Sequence, residues 1–338
     1  MPRWPALLLA LTVLGLAPAS AQPGPSLAGK TVQVIVGFGA GGGYDLLGRA
    51  VGRHLGRHLP GKPNVVVQNM PGGGSYTAAA HIFSVAPKDG TAIALIAGDA
   101  ALGPITGASG ARFDPTKFTW LGTPRTDTNL LMILNRPQMK VKAIKDLYEH
   151  ELVLSSAGAG IGAYVYPKAL SGLLGMKFRV ILGFRSSADM VLAMERGEVE
   201  GYFASYDSIV TLRPDWIPEN KVTMLFYGGA PPPDPRLKGV PFVVDLARNA
   251  DEKAAIEFLY AGLELSRPFI APPDMPAERV KMLQDAFMAT MRDKEFLADA
   301  EKQKLGVDPK TGEELSVLIK RIYATPKPIV DRITALSK

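Results

Sequence analysis

The residues with the clearest capacity for chemistry are glycines that follow an apolar run. The segment from Gly37 to Asp45 reads GFGAGGGYD, and it lies between the run TVQVIVG and a helical pattern. Free backbone N–H groups in such a loop, together with the start of a helix, can face an anion. The segment therefore predicts a site for a phosphate or a carboxylate. Asp45 is expected to cap the helix and shape the loop rather than to touch the ligand.

Two more glycine clusters follow predicted strands in the same way. Asn69 to Ser75 reads NMPGGGS, and Ser155 to Gly160 reads SSAGAG. Because ligands in parallel α/β sheets bind beyond the carboxyl ends of the strands, the first two loops should share one rim and the third should face them. The alternative is that each loop is only a tight turn or a helix cap. Three loops of one design favour a cleft between two lobes.

A dinucleotide site is an open alternative for the first loop. Gly37, Gly39 and Gly42 have the spacing G-x-G-x-x-G in a strand-to-helix context. The matching acidic residue at the end of the second strand is missing, because that strand ends in Gln68 and Asn69. No Gly-Lys-Ser/Thr follows the glycines, which excludes a Walker loop.

Other patterns give little support to catalysis or to metal binding. His54 and His58 stand four residues apart, but arginines at the same spacing on that helix favour a solvated basic face. Neither G-x-S-x-G nor H-E-x-x-H occurs, and no triad pattern is evident. We therefore predict a protein that is not an enzyme and carries no cofactor and no metal. Arg185 is expected either to bind a ligand carboxylate in a bidentate fork or to form an ion pair.

Composition narrows the class of protein. The chain has 338 residues, 47% of them hydrophobic and 21% charged, which suits two folded domains. Its net charge of +6 lacks the dense basic blocks of nucleic-acid proteins, so no nucleic-acid partner is expected. Cysteine is absent, which excludes disulfides, thiolate metal sites, cysteine nucleophiles and a lipoprotein anchor.

The first residues have the pattern of an export signal. A basic start at Arg3 precedes an apolar stretch from Ala6 to Leu16 and the small residues Ala19-Ser20-Ala21. This pattern predicts cleavage after Ala21 and a location in the periplasm. The alternative is an uncleaved anchor helix, although the apolar stretch is shorter than the roughly 20 residues of a membrane span.

The rest of the chain alternates short apolar runs with helical patterns, which is typical of an α/β fold with mostly parallel sheets. The predicted strands are Thr31 to Gly37, Asn64 to Gln68, Thr91 to Ala97, Leu130 to Leu134, Glu151 to Ser155, Arg179 to Leu182 and Glu200 to Phe203. From Asp251 onward the chain is predicted to be largely helical, with breaks at Pro268 to Pro276 and at Pro326 to Pro328. We expect a signal peptide at 1–21, a first lobe from 22–123 together with 250–338, and a second lobe at 124–249.

The glycine loops also belong to a larger pattern that spans nearly the whole chain. Its segments are GFGAGGGYD from Gly37, NMPGGG from Asn69, PKDGT from Pro87, SSAGAG from Ser155 and RGEVE from Arg196. Together they resemble the periplasmic solute receptors of tripartite tricarboxylate transporters, also called Bug receptors. That family usually reads P-F-x-P-G-G-x-x-D in its first loop, where this chain has Gly37 and Ala40 in place of the prolines.

The resemblance implies a two-lobed periplasmic binding protein that grips a small carboxylate in the cleft between its lobes. Closure about a hinge would then deliver the ligand to the membrane subunits of the transporter, and the receptor would act as a monomer. A sensor that closes on ligand to touch a signalling partner is an alternative that shares the same closed form. The predicted ligand-binding residues are Phe38, Gly39, Ala40, Gly41, Gly42, Gly43, Tyr44, Asp45, Ser75, Ser155, Ser156, Gly158, Gly160 and Arg185.

The chain departs from the family near the predicted ligand. Tyr44 stands where many relatives have a small polar residue, and Phe184-Arg185-Ser186 stands where they often have Tyr-Lys-Gly. Together with Phe38, Tyr164, Tyr166 and Tyr202, these residues make an aromatic carboxylate conceivable beside a dicarboxylate or tricarboxylate. For any one of these rings, packing in the core or on the surface is the alternative.

Overall fold

The computed structural model describes Met1 and residues 25–156, 162–184, 187–303 and 305–336. Apart from Met1, the predicted signal peptide lies outside the described residues. Three predicted ligand residues, Gly158, Gly160 and Arg185, lie outside them as well.

The first sheet contains strands from both ends of the chain. Its members are β1 (Thr31–Val36), β2 (Asn64–Asn69), β3 (Ala92–Leu95), β4 (Thr119–Thr123), β10 (Phe269–Ala271) and β11 (Lys310–Thr311). The order across the sheet is β11-β4-β10-β3-β1-β2. Strand β1 lies between β2 and β3 and is parallel to both, whereas β10 is antiparallel to β3 and β4. The three predicted N-terminal strands are thus confirmed as a parallel unit.

The second sheet is built from the middle of the chain. Its members are β5 (Thr128–Leu134), β6 (Leu152–Ser156), β7 (Phe178–Leu182), β8 (Gly201–Ser205) and β9 (Val222–Gly229), in the order β7-β6-β8-β5-β9. Strands β6, β7 and β8 are parallel, and β5 is antiparallel to both of its neighbours. This confirms an α/β fold of two lobes. Both sheets are mixed and not mostly parallel as predicted, because β10 and β11 in the first sheet and β5 in the second pair antiparallel with their neighbours.

Helices cover the faces of both sheets. They are α1 (Gly43–Leu55), α2 (Tyr76–Ser84), α3 (Gly162–Leu174), α4 (Ser187–Arg196), α5 (Tyr206–Leu212), α6 (Ala250–Leu265), α7 (Ala277–Met291), α8 (Lys294–Lys302), α9 (Gly312–Tyr323) and α10 (Lys327–Leu336). None of the described helices is long and apolar enough to cross a membrane.

The sequence did not predict β4, β9, β10 or β11. Strand β10 falls within the segment where the prolines predict a break, and it runs for three residues between Pro268 and Pro272. It is a strand because β3 and β4 pair with its two edges, and such long-range pairing is invisible to a local pattern.

The hydrophobic core joins the two lobes on one side. One cluster of buried side chains includes Ile35 of the first sheet and Leu154 of the second, together with Tyr166 of α3 and Tyr260 of α6. The rings of Tyr166 and Tyr260 stack with their centroids 4.4 Å apart. Because α3 and α6 contribute to the same core, they hold the lobes together behind the cleft.

Helix α1 lies unusually close to the first sheet because it presents glycines to it. A Cβ atom built on Gly48 would lie 2.5 Å from Cγ2 of Val36, and one built on Gly52 would lie 2.8 Å from Cγ2 of Val67. Real Cβ atoms do not approach so closely, so both positions require glycine. The close packing fixes the start of α1, and with it the loop after β1.

We expect Gly48→Ala to destabilise the protein by about 1–3 kcal/mol, because the added methyl overpacks the space against buried Val36. Chemical denaturation of the variant and the parent measures this difference. Gly43→Ala in the first turn of the same helix is the matched control, since its added Cβ would meet its nearest neighbour at 3.8 Å. Equal stability of the two variants would contradict the packing argument.

Candidate functional site

The first glycine loop is open to solvent at the carboxyl end of β1. Gly39 to Gly43 are exposed, whereas Phe38 and Tyr44 are half-buried. Gly41 has a φ of +83°, a conformation that favours glycine. No side chain among the described residues caps the first turn of α1, so the prediction that Asp45 caps this helix is wrong. The backbone N–H groups of this turn are therefore available to an anionic ligand.

The carboxylate of Asp45 holds the first glycine loop in place through hydrogen bonds. Its Oδ2 accepts hydrogen bonds from the Gly41 N–H at 2.8 Å and from Nε of Arg49 at 2.9 Å. Its Oδ1 accepts from Nδ2 of Asn69 at 2.9 Å, and the same nitrogen donates to the Phe38 carbonyl. Hydrogen bonding from Arg49 is the main cause that lowers the Asp45 pKa from 3.8 to about 2. Asp45 is buried, and its carboxylate shapes the loop.

Asn69 occupies the end of β2, where a dinucleotide site has its ribose-binding acid. Its amide is used inside the loop, on Phe38 and Asp45. At this position the second strand therefore contributes an amide that stabilises the first glycine loop, and it offers no carboxylate to a ribose.

The second glycine cluster forms a tight turn against the first loop. Gly72, Gly73, Gly74 and Ser75 all have positive φ angles. Ser75 has no exposed surface, and its hydroxyl accepts a hydrogen bond from the Ala97 N–H at 3.1 Å. A Cβ on Gly37 would collide with Ser75, so the two loops are in direct contact as expected. The contact of Ser75 with a ligand stays a prediction.

Two aromatic rings and an arginine stand next to the first loop. The rings of Phe38 and Tyr44 stack with centroids 4.1 Å apart. The guanidinium carbon of Arg267 lies over the Tyr44 ring, 5.2 Å from its centre. Burial raises the pKa of the Tyr44 phenol, an effect that Arg267 partly offsets. These contacts place a cation at the edge of the predicted anion site.

A hollow of about 440 Å³ opens between the lobes at this point. Gly43 and Arg267 line it from the first lobe, and Ser205 and Asp207 line it from the second. Arg125, which follows β4, also lines the hollow and forms an ion pair with Asp207 at 2.6 Å. In contrast, Arg267 forms no ion pair among the described residues, and its Nε is buried without a hydrogen-bond partner.

Sequence reasoning missed Arg267, Arg125 and the acidic residues Asp99 and Asp127. Arg267 lies in the turn between α6 and β10, far along the chain from the glycine loop. Asp99 follows β3 and Asp127 precedes β5. The only available signal was the position of Asp99 after a predicted parallel strand, at the rim where the loops were expected to meet.

The second lobe is only partly described near the cleft. Ser155 and Ser156 end β6 and have no exposed surface, and the Ser155 hydroxyl has no hydrogen-bond partner among the described residues. Tyr202 is buried and donates a hydrogen bond to Ser187, while Tyr166 belongs to the shared core. Core packing thus accounts for both rings.

His54 of α1 and His58, three residues after its end, contact carboxylates of α8 and of the residue before it. His54 contacts Asp299 at 3.0 Å and His58 contacts Asp293 at 2.7 Å. Arg53 is exposed and also pairs with Asp299, so the arginines of this face are solvated as the sequence indicated, and they are paired with acidic residues as well. No group of three His, Cys, Asp or Glu side chains suited to a metal occurs in the described part of the chain.

The fold is that of known solute-binding proteins. The chain is similar to a TctC solute-binding protein from Polaromonas, with a TM-score of 0.69 and 20% identity over 89% of this chain and 98% of that one. It is similar to the periplasmic binding protein BugD, with a TM-score of 0.55 and 21% identity over 90% and 96% of the two chains. It is also similar to MatC from Rhodopseudomonas palustris with bound malate, with a TM-score of 0.58 and 19% identity over 91% of this chain and 99% of that one. No protein-family model and no curated protein matches the chain.

We expect Asp45→Asn to lower the free energy of unfolding by about 2 kcal/mol at pH 7, because a buried charged acceptor of three hydrogen bonds is lost. The folded pKa of about 2 lies below 3.8, so the carboxylate stabilises the fold above pH 4 and this contribution disappears as the pH falls toward 2. Urea unfolding at pH 7 and at pH 3 measures the difference between variant and parent.

The expected result is a smaller difference at pH 3 than at pH 7. Asp331→Asn is the control, since this exposed residue pairs only with Lys327 on the surface and should change stability by less than about 1 kcal/mol. A difference that stays constant over this pH range would show that ionised Asp45 does not hold the loop.

Proposed function

We propose that this chain is a member of the TctC and Bug receptors, and that it binds a small organic carboxylate in the periplasm and delivers it to a tripartite tricarboxylate transporter. The observation that carries the proposal is the unpaired Arg267 beside the uncapped start of α1. A guanidinium can bind a carboxylate in a bidentate manner, and the first-turn N–H groups add further donors.

The likeness to MatC supports the ligand class, because that protein holds malate. The sequence motifs from Gly37, Asn69 and Ser155 support the family. In this proposal the first lobe consists of 22–123 and 250–338, and the second lobe consists of 124–249. Strands β10 and β11 support this division, because both belong to the first sheet. The proposal also takes the receptor to act as a monomer.

Ligand capture would use both walls of the cleft. The first lobe would bind a carboxylate through the loop from Phe38 to Asp45 and through Arg267, and the second lobe would close onto it through Ser155, Ser156 and the glycines that follow. Arg185 is proposed to add a second cation. Because the shared core holds α3 against α6, closure would pivot on that side of the molecule.

Thermal unfolding against aliphatic and aromatic mono-, di- and tricarboxylates, with NAD and NADP, tests the proposal. A ligand that binds only the folded state raises the midpoint temperature of unfolding. At a ligand concentration 100 times the Kd, the free energy of unfolding increases by about 2.7 kcal/mol. We expect at least one carboxylate to raise it and the dinucleotides to have no effect. A shift by a dinucleotide alone would overturn the carboxylate assignment.

Arg267→Gln is the variant arm of this experiment. We expect it to weaken the binding of the stabilising carboxylate about tenfold or more, since a charge-assisted hydrogen bond contributes roughly 1.5–3 kcal/mol. Arg332→Gln is the matched control, because Arg332 is an exposed residue of α10 outside the cleft. This variant should bind as the parent does. Equal affinity of both variants would remove Arg267 from the site.

Transport and sensing give different results in cells. Deleting the gene should abolish uptake of the identified carboxylate at low external concentration, and expression of the parent protein should restore it. A sensor would instead leave the uptake rate of existing transporters unchanged and alter the transcription that follows addition of the ligand. Uptake of radiolabelled carboxylate over the first minute distinguishes the two.

A further inference from the structure

The hollow of about 440 Å³ between the lobes is lined by two arginines whose charges are used differently. Arg267 lies at its first-lobe wall beside the start of α1, since a Cβ atom built on Gly43 would lie 3.8 Å from Nη1 of Arg267. Arg267 forms no ion pair among the described residues, and its buried Nε has no hydrogen-bond partner there. A carboxylate bound to Arg267 therefore places one end of a ligand in this hollow, whose volume suits a small molecule.

The second arginine, Arg125, is already neutralised. It lies between β4 and β5, and its Nη1 forms an ion pair with Oδ2 of Asp207 at 2.6 Å. The Arg125 side chain is only 15% exposed, and it is confined on another side because a Cβ atom on Gly306 would collide with the same Nη1. Arg125, Asp207 and Gly306 all line the hollow that Arg267 lines. Asp207 thus cancels a cation that would otherwise attract a second carboxylate of a ligand.

Hydroxyl groups accompany Asp207 on the second-lobe wall. Ser205, Ser208 and Thr211 line the hollow at intervals of three residues, so they lie on one side of α5 and its N-cap. The Ser208 N–H donates to Oγ of Ser205 at 3.3 Å, whereas the hydroxyl of exposed Thr211 has no hydrogen-bond partner among the described residues. Oδ1 of Asp207 accepts no hydrogen bond in that part of the chain either. This wall therefore offers a carboxylate oxygen that accepts and a hydroxyl that both donates and accepts.

The two walls of the hollow thus offer different chemistry to the two ends of a ligand. At the wall of α5, a ligand hydroxyl can donate to the Asp207 carboxylate and exchange a hydrogen bond with Thr211. A methyl group at the same place would remove these polar groups from water without giving them a partner, which is unfavourable. A second carboxylate would face Asp207, and the two like charges would repel each other.

We propose that Asp207 is a specificity-determining residue, which together with Thr211 selects carboxylates that carry a hydroxyl group at the end away from Arg267. This inference rests on the proposed function and narrows its ligand class to hydroxylated carboxylates. Asp207 has two effects in this role. It accepts a hydrogen bond from the ligand hydroxyl, and it holds Arg125 in an ion pair, so that Arg125 does not bind a second carboxylate.

Three sets of ligands that differ only in one end group test the proposal by isothermal titration calorimetry at pH 7.5. The aliphatic set is 6-hydroxyhexanoate, heptanoate and pimelate, and the aromatic set is 4-(hydroxymethyl)benzoate, 4-ethylbenzoate and 4-(carboxymethyl)benzoate. The third set is built on whichever carboxylate stabilises the protein most, with a hydroxyl, a methyl or a carboxylate at its far end. In at least one set the parent protein should bind the hydroxyl member more tightly than the methyl member by about tenfold or more, because a site built for a hydroxyl discriminates against an analogue without one.

Asp207→Asn should tighten the binding of the dicarboxylate relative to the methyl member by about tenfold or more, because it removes a repelling charge and releases Arg125 from its ion pair. Asp215→Asn is the matched control. Asp215 forms an ion pair with Lys221, also at 2.6 Å, and its side chain is 39% exposed against 35% for Asp207. It is not among the residues that line the hollow, so this variant should keep the relative affinities of the parent.

Thr211→Val keeps the shape of the side chain and removes only its hydroxyl. It should reduce the preference for the hydroxyl member over the methyl member about threefold, since one neutral hydrogen bond is lost. Thr31→Val is the matched control, because Thr31 is exposed at the start of β1, at the opposite end of that strand from the first glycine loop. Should Asp207→Asn fail to fold, the measurement on Thr211→Val decides the proposal.

The inference is overturned if, in every set, the parent prefers the hydroxyl member to the methyl member by less than tenfold, or if either folded variant keeps the relative affinities of the parent. Both results leave the proposed carboxylate receptor intact, because a carboxylate still binds the parent. If no carboxylate binds the parent in any set or in the wider panel, the proposed function fails, and the role of Asp207 fails with it.

Discussion

The carboxylate of Asp45 holds the first glycine loop in place, and the geometry of the candidate site depends on it. It accepts hydrogen bonds from Gly41, Arg49 and Asn69, and Asn69 in turn holds the Phe38 carbonyl. Glycine gives a loop little stiffness of its own, because it loses more conformational freedom on folding than any other residue. The buried acid supplies the missing rigidity from behind, which leaves the exposed N–H groups of the loop free for a ligand.

The packing of α1 and the shared core extend this rigidity across the molecule. Glycines at positions 48 and 52 let α1 lie close on the sheet, so the helix start is fixed relative to β1. On the far side of the cleft, Tyr166 and Tyr260 stack within a core common to both lobes. The lobes are therefore joined along one side by this shared core.

Some charged side chains of the cleft form ion pairs with each other, and others have no ion-pair partner among the described residues. Arg125 and Asp207 neutralise each other at 2.6 Å, so this pair ties the segment after β4 to α5. Arg267 has no such partner in the described structure, and its guanidinium lies over the ring of Tyr44. Its Nε is buried, and a buried polar group without a partner is costly unless a ligand or water compensates it. The presence of Arg267 here agrees with a site that is completed by its ligand.

The sequence by itself determined the α/β class, the first parallel strands and the position of the glycine loops. Each of these follows from local signals: apolar periodicity, turn residues and the order of strands and helices. It also predicted that Asp45 shapes its loop, because a carboxylate near a helix start can accept hydrogen bonds from backbone N–H groups. The tertiary structure alone decided that β10 enters the first sheet, that Arg53 and His58 contact Asp299 and Asp293, and that Arg267 lies beside the first glycine loop. Their partners lie tens to hundreds of residues away along the chain, and contacts at such separation leave no periodic trace in the sequence.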